Sequence, residues 1–163
     1  MSAPRRIAVT TGDPNGIGPE IVLKALAALE GEPRVQATVF GSRAVLERAA
    51  AATGLQSLLP RLDVREAGAI DPGALRWGEV SAAAGAATIA AAEAAIAATR
   101  AGGFDAVAAG PHHETAIAQA GIPFSGYPSL VARACGQPEG SVFLLLVGGG
   151  LRIVHVTLHE SVA

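Results

Sequence analysis

Thr10-Thr11-Gly12-Asp13-Pro14-Asn15-Gly16-Ile17-Gly18-Pro19-Glu20 is the stretch on which the fold turns. It follows a short apolar run, Ile7-Ala8-Val9, with the character of a buried strand. It leads into a helix over 19–29, where Ile21, Val22, Ala25, Leu26 and Leu29 recur at helical spacing on one face. Pro19 suits the first helical turn, and Glu20 complements the positive end of the helix dipole. Glycines at 12, 16 and 18 permit positive φ and close backbone approach. The carboxyl end of a strand, where it runs into a helix, is where open α/β sheets bind ligands. Asp13 and Asn15 are therefore candidate substrate contacts. The plain alternative is a well-capped turn that carries no chemistry.

The turn is neither of two better-known phosphate cradles. Gly16-Ile17-Gly18 lacks the third glycine of a dinucleotide fingerprint, because Ile21 stands three residues on. No Gly-Lys-Ser/Thr follows, so it is not a phosphate loop. Asp13 and Glu20 would also repel a pyrophosphate laid across it.

Working outward, the chain repeats strand, loop and helix. Strands are expected at 6–10, 37–40, 62–65 and 105–109. Helices are expected at 19–29, 42–53 and 81–100, with a short one at 115–120. The order predicts an α/β fold with a largely parallel sheet covered on both faces. Beyond Gly110 the texture changes. A loop rich in Pro and Gly is expected at 121–129, and Cys135-Gly136 looks like a helix end. Gly148-Gly149-Gly150 separates two β-rich runs, 142–147 and 151–158, and predicts an antiparallel hairpin. The boundary suggested by this change divides a first α/β domain, 1–110, from the start of a second, 111–163.

Composition narrows the class. Half of the 163 residues are apolar but only 4% are aromatic, so the core must be built from Ala, Val, Leu and Ile. A net charge of −2 gives no electrostatic reason to expect nucleic acid or an anionic membrane as partner. The single cysteine, Cys135, excludes an internal disulfide and fits a reducing compartment. The alanine-rich run 81–101 reads as a helix packed closely on a sheet rather than a membrane span. The expectation is a soluble, cytoplasmic protein without a membrane partner.

Four histidines are the candidates for chemistry. His112 and His113 follow Gly110-Pro111 at a strand end, beside Glu114, where imidazole and carboxylate serve substrate binding or proton transfer. They equally suit a polar loop capping the next helix. His155 in an apolar run reads as a core residue. His159, beside Glu160, is the better metal ligand, although a complete site needs further ligands that no Cys cluster or His-Glu-x-x-His supplies. Tyr127 could offer its hydroxyl to a ligand or simply pin its loop. Ser125, Ser129 and Ser141 sit near no nucleophile elbow.

The opening motif resembles that of the 4-hydroxythreonine-4-phosphate dehydrogenase family. Further matches follow in order: Ala-Gly-Pro-His-His-Glu (109–114), Ala-Gly-Ile-Pro-Phe-Ser-Gly (120–126) and Leu-Arg-Ile-Val-His-Val-Thr-Leu-His (151–159). The resemblance implies a three-layer α/β/α fold of the isocitrate-dehydrogenase type and a homodimer. It also implies NAD and a divalent metal (Zn, Mn, Mg or Co), with His159 as one metal ligand. The implied chemistry oxidises a secondary alcohol to a β-keto acid that loses carbon dioxide. The family's Gly-His-Thr-Glu, which contacts a phosphorylated substrate, stands here as Gly126-Tyr127-Pro128-Ser129, and its usual lysine is Glu114. These departures resemble the terephthalate dihydrodiol dehydrogenase branch, whose substrate is a cis-dihydrodiol dicarboxylate. The implied substrate contacts are Asp13, Asn15, His112, His113 and Tyr127. The remaining metal histidines and most of the nicotinamide surface belong to a later half of the family pattern, so the 163 residues resemble about half of an enzyme. The alternatives left open are a 4-phosphohydroxy-L-threonine or related hydroxy-acid dehydrogenase, and a non-catalytic α/β binding module.

Overall fold

The computed structural model describes residues 3–155. The chain divides into two compact units, Met1–Pro123 and Phe124–Ala163.

The first unit is built on a four-stranded parallel sheet. In chain order its elements are β1 (Arg5–Thr10), α1 (Gly18–Ala28), β2 (Val35–Gly41), α2 (Arg43–Thr53), β3 (Asp63–Glu66), α3 (Ala82–Arg100), β4 (Ala106–Ala108) and α4 (Glu114–Gln119). The strand order is β3-β2-β1-β4. Register runs from Arg5↔Val35 to Thr10↔Phe40 on one side of β1, and from Ile7↔Ala106 to Val9↔Ala108 on the other. Alternation along β1 then sorts its side chains into two layers. Ala8 joins Phe40, Ala95 and Phe104 beneath α3, while Val9 packs with Val22, Leu23, Val39 and Leu46 beneath α1 and α2. Burying each such leucine contributes about 1.5–3 kcal/mol, so these few residues supply much of what fixes the helices. The result is the expected three-layer α/β/α arrangement.

Helix α3 shows why alanine is so frequent. Ser81 caps it, its hydroxyl accepting from the Ala84 N–H at 3.2 Å. Gly85 lets α4 approach so closely that a Cβ there would lie 2.2 Å from the Ala116 carbonyl oxygen. The helix is long and apolar enough to cross a membrane. Here Ala84, Thr88, Ile89, Ala92, Ala95 and Ile96 are instead buried, and the helix packs on β1, β2, β4 and α4.

One expectation for α1 is only half met. Val22 is buried and Leu26 partly so, joined by Leu23, but Ile21 and Leu29 are 44% and 43% exposed. The apolar face read from spacing is present, yet much of it lines an open groove.

The second unit holds α5 (Tyr127–Ala134) and an antiparallel pair, β5 (Leu145–Gly148) and β6 (Leu151–Val154). Gly149 and Gly150 both take positive φ at the turn, as tight hairpins require. The loop expected over 121–129 ends early, because helix begins at Tyr127. Pro128 sits in the first turn, where a missing N–H leaves no helical bond unmade. His155 follows β6 and is half-buried rather than a core residue, since β6 itself is exposed throughout.

Candidate functional site

The strand order reverses between β1 and β4: the chain steps from β1 outward to β2 and β3, then returns to β1's other side. The loops that leave these two adjacent strands at their carboxyl ends diverge around a topological switch point, the usual ligand position in an open parallel sheet. One loop carries Asp13 and Asn15. The other carries His112 and His113.

The two loops are tied together. The Gly110 N–H donates to the Thr10 carbonyl and to Thr10 Oγ1, both at 3.1 Å. The Asp13 N–H donates to the Pro111 carbonyl at 2.8 Å. Of the three glycines in the opening motif, only Gly12 takes positive φ, at 69°. A Cβ on Gly12 would lie 2.2 Å from the Pro111 oxygen, and one on Gly18 would lie 2.2 Å from the Thr11 oxygen. These glycines admit neighbouring backbone rather than leaving a cradle for a ligand.

Asp13 and Asn15 are both buried and both shape the loop. Asp13 Oδ1 accepts from the Asn15 N–H at 2.8 Å. The Asn15 amide reaches a segment more than 60 residues away: Nδ2 donates to the Glu79 carbonyl at 3.1 Å and Ser81 Oγ at 3.3 Å, and Oδ1 accepts from the Arg76 N–H at 2.9 Å. It thereby fastens the first loop to the approach of α3. On that flank lies a cleft of about 250 Å³ between Pro14–Ile17, α1, α2 and 75–78. Arg48 donates to the Leu75 carbonyl at 2.6 Å, and its guanidinium lies 5.3 Å from the Trp77 ring centroid. Local pattern does not signal this flank, because its partners are distant in sequence.

His112 is partly buried and His113 is exposed. His112 Nε2 lies 3.9 Å from Glu114 Oε1. Burial holds the His112 imidazole below the usual histidine range; the Glu114 carboxylate opposes this, and His113 adds to it. A neutral imidazole offers one donor and one acceptor, which suits hydrogen bonding to a substrate carboxylate or hydroxyl. Glu114 opens α4, and α4 is held against α3 across Gly85, so the histidine pair rests on a packed support.

Tyr127 belongs to the second unit. It opens α5, and its ring meets Phe124 edge-on at 6.0 Å. The Ser129 hydroxyl donates to the Gly126 carbonyl at 2.9 Å and closes the helix start. His159 lies outside the described residues. Among the described residues, no three of His, Cys, Asp and Glu come together as a metal-binding group.

The sequence model described as "Pyridoxal phosphate biosynthetic protein PdxA" matches residues 33–163. A Comamonas protein named 1,2-dihydroxy-3,5-cyclohexadiene-1,4-dicarboxylate dehydrogenase is 55% identical over 97% of this chain and 50% of its own length. Among solved structures, a terephthalate 1,2-cis-dihydrodiol dehydrogenase from Burkholderia xenovorans LB400 matches with a TM-score of 0.76 at 42% identity, over 98% of this chain and 50% of that one. A 4-hydroxythreonine-4-phosphate dehydrogenase from Burkholderia phymatum matches with a TM-score of 0.82 at 28% identity, over 98% and 52%. The chain thus spans about half the length of the relatives it matches. With that match, and with the parallel sheet and tied loops already seen, the chain belongs to the PdxA family.

Proposed function

We propose that this chain is the substrate-binding portion of a cytoplasmic, homodimeric dehydrogenase that uses NAD and a divalent metal. Its proposed substrate is 1,2-dihydroxy-3,5-cyclohexadiene-1,4-dicarboxylate, and its product is protocatechuate. The net change removes two hydrogens and one carbon dioxide, and the ring becomes aromatic, so the overall conversion is strongly downhill. The observation that carries this reading is the 55% identity to the Comamonas protein of that name. Gly126-Tyr127-Pro128-Ser129 supports it, standing where phosphate-handling relatives are expected to carry Gly-His-Thr-Glu.

In this reading His112 and His113 meet a substrate carboxylate or hydroxyl at the end of β4, and Tyr127 offers its hydroxyl from the start of α5. Asp13 and Asn15 act by holding the first loop against Pro111 and the 76–81 segment. Among the described residues no three of His, Cys, Asp and Glu come together as a metal-binding group, and Gly12 and Gly18 serve close backbone packing within the loops. The role assigned to His112, His113 and Tyr127 is to grip and orient the substrate, on a loop that Asp13 and Asn15 hold in place.

The test co-assembles this chain with the half of the Comamonas enzyme that it does not span and follows NADH formation. The expected result is turnover of the dihydrodiol dicarboxylate, with protocatechuate as product, and none of 4-phosphohydroxy-L-threonine. The reverse preference would overturn the assignment. A second reading, dehydrogenation of that phosphorylated hydroxy acid or a related one, draws on the 0.82 TM-score of the Burkholderia phymatum enzyme, though its identity is only 28%. A non-catalytic module is the third. It predicts no micromolar binding of zinc, manganese or magnesium that His159→Ala abolishes.

A further inference from the structure

Helical spacing along α2 puts Val45, Arg48 and Ala49 on one face. Val45 and Ala49 are buried, and with Leu75 they give the cleft of about 250 Å³ beside the first loop an apolar lining. The 75–78 segment forms another wall, and Asn15 fixes it twice. Its Oδ1 accepts from the Arg76 N–H at 2.9 Å, and its backbone carbonyl accepts from the Gly78 N–H at 2.8 Å. Two guanidinium groups converge on this wall. Arg48 Nη1 donates to the Leu75 carbonyl at 2.6 Å, and Arg76 Nη1 donates to the same oxygen at 2.9 Å. Neither pairs with a carboxylate among the described residues. Glu20, the acidic residue in the lining, is held by Lys24 at 2.6 Å. Two like charges that share one neutral acceptor repel each other, and an anion beside them relieves that repulsion.

We propose that this cleft binds a monocyclic aromatic carboxylate, its carboxylate on Arg48 and Arg76 and its ring on the apolar lining. The charge calls for an anion, and the planar guanidinium fork matches a carboxylate. The lining calls for a ring. Val45, Leu75, Ile17 and Trp77 all face the cleft, and Ile17 and Trp77 are 58% and 45% exposed, so an occupant would cover apolar surface that now meets water. The size calls for one ring. An apolar cavity of about 150 Å³ holds benzene, so this cleft has room for a ring and its carboxylate but not for a larger ring system. His112 and His113 do not line it. The site is therefore separate from the histidine pair, although Asn15 and Gly16 of the first loop contribute to its wall.

This inference goes beyond the functional reading and rests on the cleft's own groups, not on which substrate is turned over. Trp77 is the only tryptophan of the chain, so its fluorescence reports on the cleft directly. Titrating the 163-residue chain with benzoate should change that emission saturably. Benzyl alcohol, which lacks the charge, and acetate, which lacks the ring, should each bind more weakly by about tenfold or more. Arg48→Gln should weaken benzoate by about tenfold. If that variant loses the thermal unfolding of the parent, Ile17→Asp serves in its place: it sets a like charge at an exposed position of the cleft and should weaken benzoate by a similar factor. His112→Gln should leave benzoate binding within about twofold. No saturable change in emission, equal binding of benzyl alcohol or acetate, tighter binding of AMP than of benzoate, or loss of benzoate binding in His112→Gln would each overturn the proposal. Benzoate binding alongside an assembled enzyme that makes no NADH from the dihydrodiol would overturn the functional reading alone.

Discussion

The two faces of one sheet behave differently. Beneath α3, Ala8, Phe40, Ala95 and Phe104 are buried, and Phe40 meets Phe104 edge-on at 5.5 Å. The Arg65 guanidinium lies 5.0 Å from the Phe104 ring centroid. Beneath α1, side chains just as apolar line an open groove. Both faces follow the same rule of alternation in the strands and periodicity in the helices. What differs is whether the chain itself supplies the next layer. Hydrophobic patterning says which face wants burial; only a partner segment determines whether burial occurs.

The sharpest way to break this contrast is to truncate one side chain on each face. Phe104→Ala should lower stability by about 3–5 kcal/mol in urea unfolding, since a buried ring and its contacts are lost. Leu29→Ala, in the groove, should change it by no more than about 0.5 kcal/mol. Similar losses would mean that the groove is closed in solution.

Gly85→Ala tests the tightness of the closed face. Its Cβ would meet the Ala116 backbone, so a loss of about 1–3 kcal/mol is expected, with displacement of α4 visible in the amide spectra of 112–119. A neutral outcome would show that α3 and α4 separate at little cost.

Asn15→Ala should cost about 1–3 kcal/mol, because the Arg76 N–H loses its acceptor in a partly buried setting. It should also speed hydrogen exchange at residue 76. If neither changes, the first loop is held by Pro111 alone.

The smallest effect concerns His112. Its folded-state value lies below that of the unfolded chain, so the unfolded state binds more protons between the two. The neutral, buried form thus favours folding in full above the unfolded value, about 6.5. That contribution falls away as pH drops from there toward the folded value. Urea midpoints measured from neutral to mildly acidic pH should therefore fall more for the parent than for His112→Gln. Equal slopes would place His112 in a solvated environment.

Much of this architecture is legible in the sequence because local signals agree. Ser81 at one end and Gly102-Gly103 at the other bracket α3, and Gly54 ends α2 in the left-handed conformation that stops helices. The glycine triplet gives the hairpin. Pro128 misleads, since the same residue that punctuates loops is well tolerated in a helix's first turn. Both candidate loops can be found from sequence, but their mutual attachment cannot: Thr10 and Gly110 are 100 residues apart. Asn15 reads as a ligand contact because nothing nearby shows that its amide is engaged by residues 76–81.

Hydrogen exchange of the chain tests the contrast between the two faces most directly. The outward-facing amides of β4, at the edge of the sheet, should exchange rapidly. Those of the buried stretch of α3 around Ala91, Ala92 and Ala95 should exchange slowly. Equal protection at β4 and in α3 would contradict the claim that one face of the sheet is closed and the other open.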